Sequence, residues 1–364
     1  MSVIVAKIGS SSITSDDGMI DEGAVAAFCA QVAELRSLGH TVVAVTSGAI
    51  AAGLPAVDLP AGRPRDAVTL QAVSAVGQSR LMRVYDRVLA GHGLVAGQVL
   101  LAPLDFGIRQ QYLHARSTLQ RLLELGVLPV VNENDAIADD EIRFGDNDRL
   151  AALVAHLVRA DLLVLLTDTA GLLTADPRLD ASASLIEEIV EVDRELEARA
   201  GGPGSDRGSG GMASKITAAK MAAWSGVRVV IGAAHRERLL RDAVSGVAGI
   251  GTVVLPRDRR LPARKLWIAF AVGSSGQVVV DQGARRALEA DGRSLLPAGV
   301  VEVRGAFAAD EAVEVVDPDG AVFAKGLVRM GAPLVSAMAG QRSSALPPGA
   351  PAEVIHRDDL VLVP

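Results

Sequence analysis

Short apolar runs alternate with longer segments of helical periodicity through the first two-thirds of the chain. Val3–Ala6 reads as a strand that ends at Lys7 and runs into Gly9, Ser10, Ser11 and Ser12. An amphipathic helix over Glu22–Leu38 stops at Gly39, and a second strand, Thr41–Thr46, delivers Ser47, Gly48 and Ala49. Val68–Ala90 reads as a helix broken by Gly91 and Gly93, before the apolar stretch Leu94–Leu101. Gln111–Leu125 is a further helix ended by Gly126. Val127, Leu128, Val130 and Val131 form a buried strand interrupted by Pro129, and a helical pattern resumes at Leu150. Leu162–Leu166 is a continuous apolar run of the kind a parallel sheet buries on both faces, and Val227–Ile231 supplies one more strand after a helix over Ser214–Ala223. This alternation predicts a three-layer α/β/α sandwich with a mostly parallel central sheet.

Around Pro256–Lys265 the pattern changes. The basic, proline-bearing segment PRDRRLPARK reads as a linker over residues 256–265, which leaves residues 1–255 as one domain and 266–364 as a second. The second shows short alternating runs at Gln277–Asp281, Val300–Val303, Ala312–Val316 and Ala321–Val328, separated by Gly, Pro and Asp, and predicts a small β-barrel-like domain.

Size and composition support this division. At 364 residues the chain exceeds what one core usually serves, and with 49% apolar but only 3% aromatic residues its core is built from Ala, Val, Leu and Ile. A net charge of −7 offers no general attraction to nucleic acid or anionic lipid. Cys29, the single cysteine, lies on a helical pattern as a small buried apolar residue, so no disulfide forms within the chain. The amino end lacks a basic leader, and the most apolar region, Leu150–Leu166, is interrupted by His156, Arg159 and Asp161. The expectation is a cytoplasmic protein with no membrane span.

The chemistry concentrates where strands end. After Val131 the chain releases Asn132, Glu133, Asn134, Asp135, Asp139, Asp140, Glu141, Asp146, Asn147 and Asp148 before the next helix. In an open α/β sheet that is where ligands bind, although a solvated acidic loop whose last residues cap the helix fits the same pattern. Lys7 beside a Gly/Ser loop suits a phosphate, although for any single lysine a place on an edge strand is commoner. The segment GGPGSDRGSGGMASK, 201–215, has linker composition yet leads straight into a helix, where free amides are available to an anion. It is not a Walker A loop, because Lys215 is followed by Ile216 and no strand directly precedes the glycines.

These stretches, taken together, carry a resemblance: AKIGSS at Ala6–Ser11, TSGAIAAG at Thr46–Gly53, AVGQSRL at Ala75–Leu81, VNENDA at Val131–Ala136, GDND at Gly145–Asp148, LLTDTAGLLTADPR at Leu165–Arg178 and GSGGMASK at Gly208–Lys215. In this order and spacing the chain resembles the bacterial glutamate 5-kinases of the amino acid kinase family over essentially its whole length. SLLPAGV at Ser294–Val300 and HRDD at His356–Asp359 resemble the PUA domain that many members carry. The resemblance implies ATP-dependent phosphorylation of the L-glutamate side-chain carboxylate to glutamyl 5-phosphate, the first step of proline synthesis, with ATP and Mg2+ required. It implies that Lys7 and Lys215 contact the ATP phosphates and that Asp148 orients them. It implies that Ser47, Asp135 and Asn147 hold glutamate and that Thr167 and Asp168 contact the nucleotide. Ser209, Gly210, Gly211, Met212, Ala213, Ser214 and Lys215 would wrap its phosphates. It further implies a homo-oligomer, dimer or tetramer, and L-proline as a feedback ligand competing at the glutamate pocket.

Four positions depart from the family's pattern. His114 stands where asparagine is expected, Arg143 where lysine is, and Ser209 and Ala213 where threonine and serine are. None removes a charged group with an implied catalytic role; what they touch is subunit contact and feedback. Rival readings are another amino acid kinase, of the acetylglutamate kinase or aspartokinase type, an RNA-binding or RNA-modification factor using the PUA domain, and a regulatory homologue that binds without turnover. The VNENDA and GDND pair and the appended β domain speak against the first. The carboxyl-terminal part has no basic excess and few aromatics, which speaks against nucleic acid. Both lysines and the aspartates are present, which speaks against the third.

Overall fold

The computed structural model describes residues 1–15, 17–59, 64, 66–106, 108–137, 147–175, 180, 182–200, 211–258, 260–341 and 351–363. Two compact units are present, Met1–Arg260 and Leu261–Pro364.

Unit 1 is built on an eight-stranded sheet. Its strands are β1 (Val3–Ile8), β2 (Thr41–Val45), β3 (Ala96–Leu101), β4 (Leu128–Glu133), β5 (Leu162–Thr167), β6 (Glu188–Ile189), β7 (Arg228–Ala233) and β8 (Thr252–Val254), in the order β3-β4-β2-β1-β5-β7-β8-β6. Every pairing is parallel except β7 with β8. The helices are α1 (Ser10–Ile13), α2 (Glu22–Ser37), α3 (Ala49–Gly53), α4 (Ala67–Ala90), α5 (Arg109–Glu124), α6 (Asn147–Leu157), α7 (Arg194–Ala200), α8 (Met212–Trp224) and α9 (Leu239–Ser245). None of the described helices is long and apolar enough to cross a membrane.

Strand alternation divides the sheet into two faces. Ile4, Ala6, Ile8, Val42, Ala44, Val130 and Val164 join Val25, Phe28, Val32 and Leu35 of α2 and Leu81, Tyr85 and Leu89 of α4 in one apolar cluster. Cys29 belongs to that cluster, and burial pushes its thiol up to about 12. Residues one position out of phase, Val5, Lys7, Val43 and Leu165, face the other side, where α6 packs over β1, β2 and β5 and α8 packs beside α6.

Two differences from the sequence reading bear on the site. β1 runs through Lys7 to Ile8, so Lys7 is a strand residue, registered with Val45 and Leu165, and it is 3% exposed. α6 begins at Asn147 and not at Leu150, which puts Asn147 and Asp148 in its first turn, both buried. The apolar periodicity starts later than the helix because the first turn faces a polar interior.

At the end of β2 the chain turns through Gly48, whose φ of +98° belongs to the left-handed region open to glycine. α3 then lies against α4 at backbone contact. A Cβ on Gly77 would sit 1.7 Å from the Ala49 carbonyl oxygen, and one on Gly53 would sit 2.0 Å from that of Val73. The glycines of the TSGAIAAG and AVGQSRL stretches are thus one packing device seen from its two sides.

Unit 2 opens with a short helix, α10 (Ala263–Leu266). It contains β9 (Gly276–Val280), α11 (Gln282–Asp291), β10 (Val300–Gly305), β11 (Ala312–Val316), β12 (Val322–Val328), α12 (Ala332–Met338) and β13 (Ile355–Leu362). The five strands form one mixed sheet in the order β10-β9-β11-β12-β13. Val278, Val280, Val313, Val315, Val328, Val335 and Ile355 centre its own core.

Gly77→Ala is expected to destabilise unit 1 by about 2 kcal/mol or more through overpacking against α3. Gly273→Ala, where an added Cβ meets nothing within 4 Å, is expected to stay within about 0.5 kcal/mol of the parent. Denaturant unfolding of the two variants measures the contrast, and equal stabilities would remove the close approach from the account.

Candidate active site

On the α6/α8 face, three charged side chains from distant parts of the sequence meet. Lys7 Nζ lies 2.5 Å from Asp148 Oδ1, and Lys215 Nζ lies 3.2 Å from Asp148 Oδ2. Ser214 Oγ donates to the same Oδ2 at 3.3 Å. All three charged groups are at least 95% shielded from solvent. Burial by itself would raise the Asp148 pKa, but the two ammonium groups outweigh it and hold the carboxyl below the usual aspartate range. Each partner has a structural reason to be there. Lys7 is fixed by the centre of the sheet, Asp148 by the first turn of α6, and Lys215 by the first turns of α8. Gly9 keeps the space beside the cluster open, since a Cβ there would lie 3.3 Å from Lys7 Nζ.

Beside this centre, beyond the ends of β2, β3 and β4, lies a polar pocket. A cavity of about 270 Å³ is bordered by Ser74, Gln78, Gln98, Glu133, Asn134 and Asp135, among others. The Glu133 amide donates to both Asn132 Oδ1, at 2.9 Å, and Asn147 Oδ1, at 3.0 Å. Asn132 Nδ2 donates in turn to Gln78 Oε1 at 2.9 Å. Ser47, at the end of β2, is buried. Asp135 differs from these neighbours. Its Oδ1 is buried with no hydrogen-bond partner among the described residues, and burial pushes its carboxyl up to about 6. An ammonium group brought to it would satisfy the oxygen and favour the ionised form.

At the end of β5, Thr167 Oγ1 donates to Asp168 Oδ1 at 3.0 Å. Thr167 shares the sheet face of Lys7, because it follows Leu165 by two in a strand whose Leu165 registers with Lys7. Gly211 precedes the first residue of α8, and Met212, Ala213 and Ser214 form its opening turn. Ser209 and Gly210 of the expected phosphate loop lie outside the described residues, as do Gly145, Asp146 and Arg143. His114 is exposed on α5.

Chemically, the centre can bind a polyanion. Lys7 and Lys215 bring two ammonium groups to one place, and the start of α8 adds amide donors beside them. A model of the amino acid kinase family matches residues 2–233. The chain belongs to the amino acid kinase family. A PUA-domain model matches residues 276–347 of unit 2.

Relatives of the same family cover nearly the whole chain. The glutamate 5-kinase of Geobacter sp. (strain M21) is 46% identical over 364 residues, 99% of this chain and 97% of the relative. The glutamate 5-kinase of Burkholderia multivorans (strain ATCC 17616 / 249) is 46% identical with the same coverage. Among solved structures, the carbamate kinase from Giardia lamblia bound to AMP-PNP superposes with a TM-score of 0.51 at 15% identity, covering 70% of this chain and 99% of its own. That likeness is one of fold.

In this member of the family the sequence reading gave no role to Gln78, Gln98 or Ser74, although all three border the cavity. Gln78 stands in the AVGQSRL stretch, so the signal was on the page without its chemistry. Asp135 yields a prediction. Its proton is held more tightly in the folded chain than in the unfolded one, so ionising it costs stability. That cost is absent below the ordinary aspartate pKa, grows as pH rises through about 6, and is complete above it. Asp135→Asn is therefore expected to be more stable than the parent by about 1–3 kcal/mol at pH 8, with the difference shrinking toward pH 4. Urea unfolding across that range measures it; a pH-independent difference would contradict the burial of an unpartnered carboxylate.

Proposed function

We propose that this chain phosphorylates the side-chain carboxylate of L-glutamate with ATP, giving L-glutamyl 5-phosphate, the first step of proline biosynthesis. The observation that carries the reading is the meeting of Lys7 and Lys215 on Asp148 in a buried centre. Full-length relatives named glutamate 5-kinase at 46% identity support the choice of substrate.

The reaction asks for positioning and charge neutralisation and for little covalent work by the protein. A glutamate side-chain carboxylate, ionised at neutral pH, needs no general base. One of its oxygens bonds to the γ-phosphorus while the bond from that phosphorus to the β–γ bridging oxygen breaks and ADP departs. The obstacle is repulsion between the anionic nucleophile and the triphosphate. In this reading Lys7 and Lys215 lie against the transferring and bridging oxygens and neutralise charge as it shifts, and Asp148 keeps both ammonium groups aimed. Asp135 takes the substrate ammonium; Ser47 and Asn147 take its carboxylates. Thr167 and Asp168 contact the nucleotide, and the segment 209–215 wraps its phosphates.

Among the described residues no group of three or more His, Cys, Asp or Glu converges as a metal cage. Mg2+ is proposed to accompany ATP, where it would supply further neutralisation of the phosphate charge. The same proposal includes a cytoplasmic location, a dimeric or tetrameric assembly, L-proline as a competitor at the glutamate pocket, and residues 1–255 and 266–364 as kinase and PUA domains joined by 256–265.

The test is trapping of the acyl phosphate by hydroxylamine in the presence of ATP and a panel of glutamate, aspartate and N-acetylglutamate. Hydroxamate from glutamate is the expected result, and its absence overturns the proposal. Lys215→Ala is expected to lower kcat by about a hundredfold or more while the thermal unfolding profile is retained. Near-parent turnover in the folded variant would take Lys215 out of the transfer step.

A further inference from the structure

We propose that Gln78 is a positioning residue for the substrate pocket, holding Asn132 in the orientation in which it shares the Glu133 amide with Asn147. The inference rests on the glutamate-kinase reading and deepens it.

A backbone N–H is always a donor, so the Glu133 amide dictates that the atoms facing it, 2.9 Å away on Asn132 and 3.0 Å away on Asn147, are oxygens. With its oxygen committed, Asn132 must turn its NH2 outward, and it reaches Gln78 at 2.9 Å. Gln78 therefore offers its oxygen to Asn132 and its NH2 to Gln98 Oε1, 3.3 Å away on β3. One backbone amide thus sets four side-chain amides in a fixed sense, and none of them can flip alone without placing two donors face to face.

Gln78 is the hinge of this series because it joins elements that are otherwise separate. Its backbone follows Gly77, where α4 touches α3, so its Cα is set by close packing and not by a flexible loop. Its side chain, 8% exposed, borders the cavity that also holds Asp135. Asn132 shares the Glu133 amide with Asn147, and Asn147 adjoins Asp148, which holds both lysines. If the Gln78 oxygen is removed, Asn132 loses the partner of its NH2 and is free to turn. The Glu133 amide then keeps its contact with Asn147 and loses the one with Asn132, so the pocket's amides no longer share one sense. The lysine centre keeps every contact it has.

That asymmetry supplies the test: steady-state kinetics of the full chain, varying glutamate and ATP separately, on the parent, Gln78→Leu and Gln98→Leu. Gln78→Leu is expected to raise the glutamate KM about tenfold while the ATP KM stays within about twofold. Gln98→Leu, at the exposed end of the series, is expected to raise the glutamate KM about two- to threefold. In an Asn147→Ala background Gln78→Leu is expected to add little, since both act on the same amides. A folded Gln78→Leu with unchanged glutamate KM overturns the proposal, as does an equal rise in both KM values, which a merely structural role would give. Should Gln78→Leu fail to fold, Gln98→Leu decides: an unchanged glutamate KM overturns the proposal. A parent enzyme without glutamate-dependent turnover removes the kinase reading and this one with it, whereas an active parent with unaffected variants removes only this one.

Discussion

Burying an ammonium group costs several kcal/mol unless an anion lies against it, and unit 1 buries two ammonium groups that both meet the carboxylate of Asp148. Such a centre is not an economical way to hold a fold together, because well-packed apolar residues of similar volume would serve stability at least as well. Its consequence is electrostatic: two ammonium groups are shielded from water and held in place before any ligand arrives. A polyphosphate is the kind of group that makes use of both properties at once.

The sheet explains how residues so far apart in sequence come to share a carboxylate. β1 occupies an interior position with β2 on one side and β5 on the other, so a side chain at its carboxyl end is held from both flanks. Alternation sends Ala6 and Ile8 into the apolar cluster with α2 and α4, and sends Lys7 the opposite way, toward α6 and α8. A register slip of one residue would reverse that assignment and place a lysine in the apolar cluster. The valines and isoleucines around Lys7 therefore specify the site as firmly as its own charge does.

The layered α/β architecture was legible from periodicity, and the sites of polar concentration from their places at strand ends. The misreadings cluster where tertiary contacts outweigh local pattern. Lys7 was legible as lying at the end of a strand, one residue short of where β1 ends, but its carboxylate partner was not, because Asp148 lies far along the chain. Asn147 and Asp148 fitted a helix cap as well as a site because the apolar repeat of α6 becomes visible only at Leu150; both lie inside the first turn and are buried. Gln78 was silent for another reason. It lies in line with Leu81, Tyr85 and Leu89 on the buried stripe of α4, where a glutamine reads as an interruption of the core and its partners on β3 and β4 cannot be seen. In unit 2 the runs that became β9 to β12 were visible, while β13 and helices α11 and α12 were not, being short or set off by Gly and Pro.

Charge layout ties the pocket to the centre. The lysine cluster offers two buried ammonium groups, whereas Asp135 offers a buried carboxylate oxygen, Oδ1, without a hydrogen-bond partner among the described residues. Between them run amides whose sense is fixed by the Glu133 N–H. Under the proposed reading, an amino acid entering this space meets a gradient that draws its ammonium toward Asp135 and a carboxylate toward the lysines. The reverse orientation would set ammonium against ammonium and carboxylate against carboxylate. Selection of orientation therefore needs no moving part: it follows from where the two lysines and Asp135 are buried, and from the neutral dipoles that lie between them.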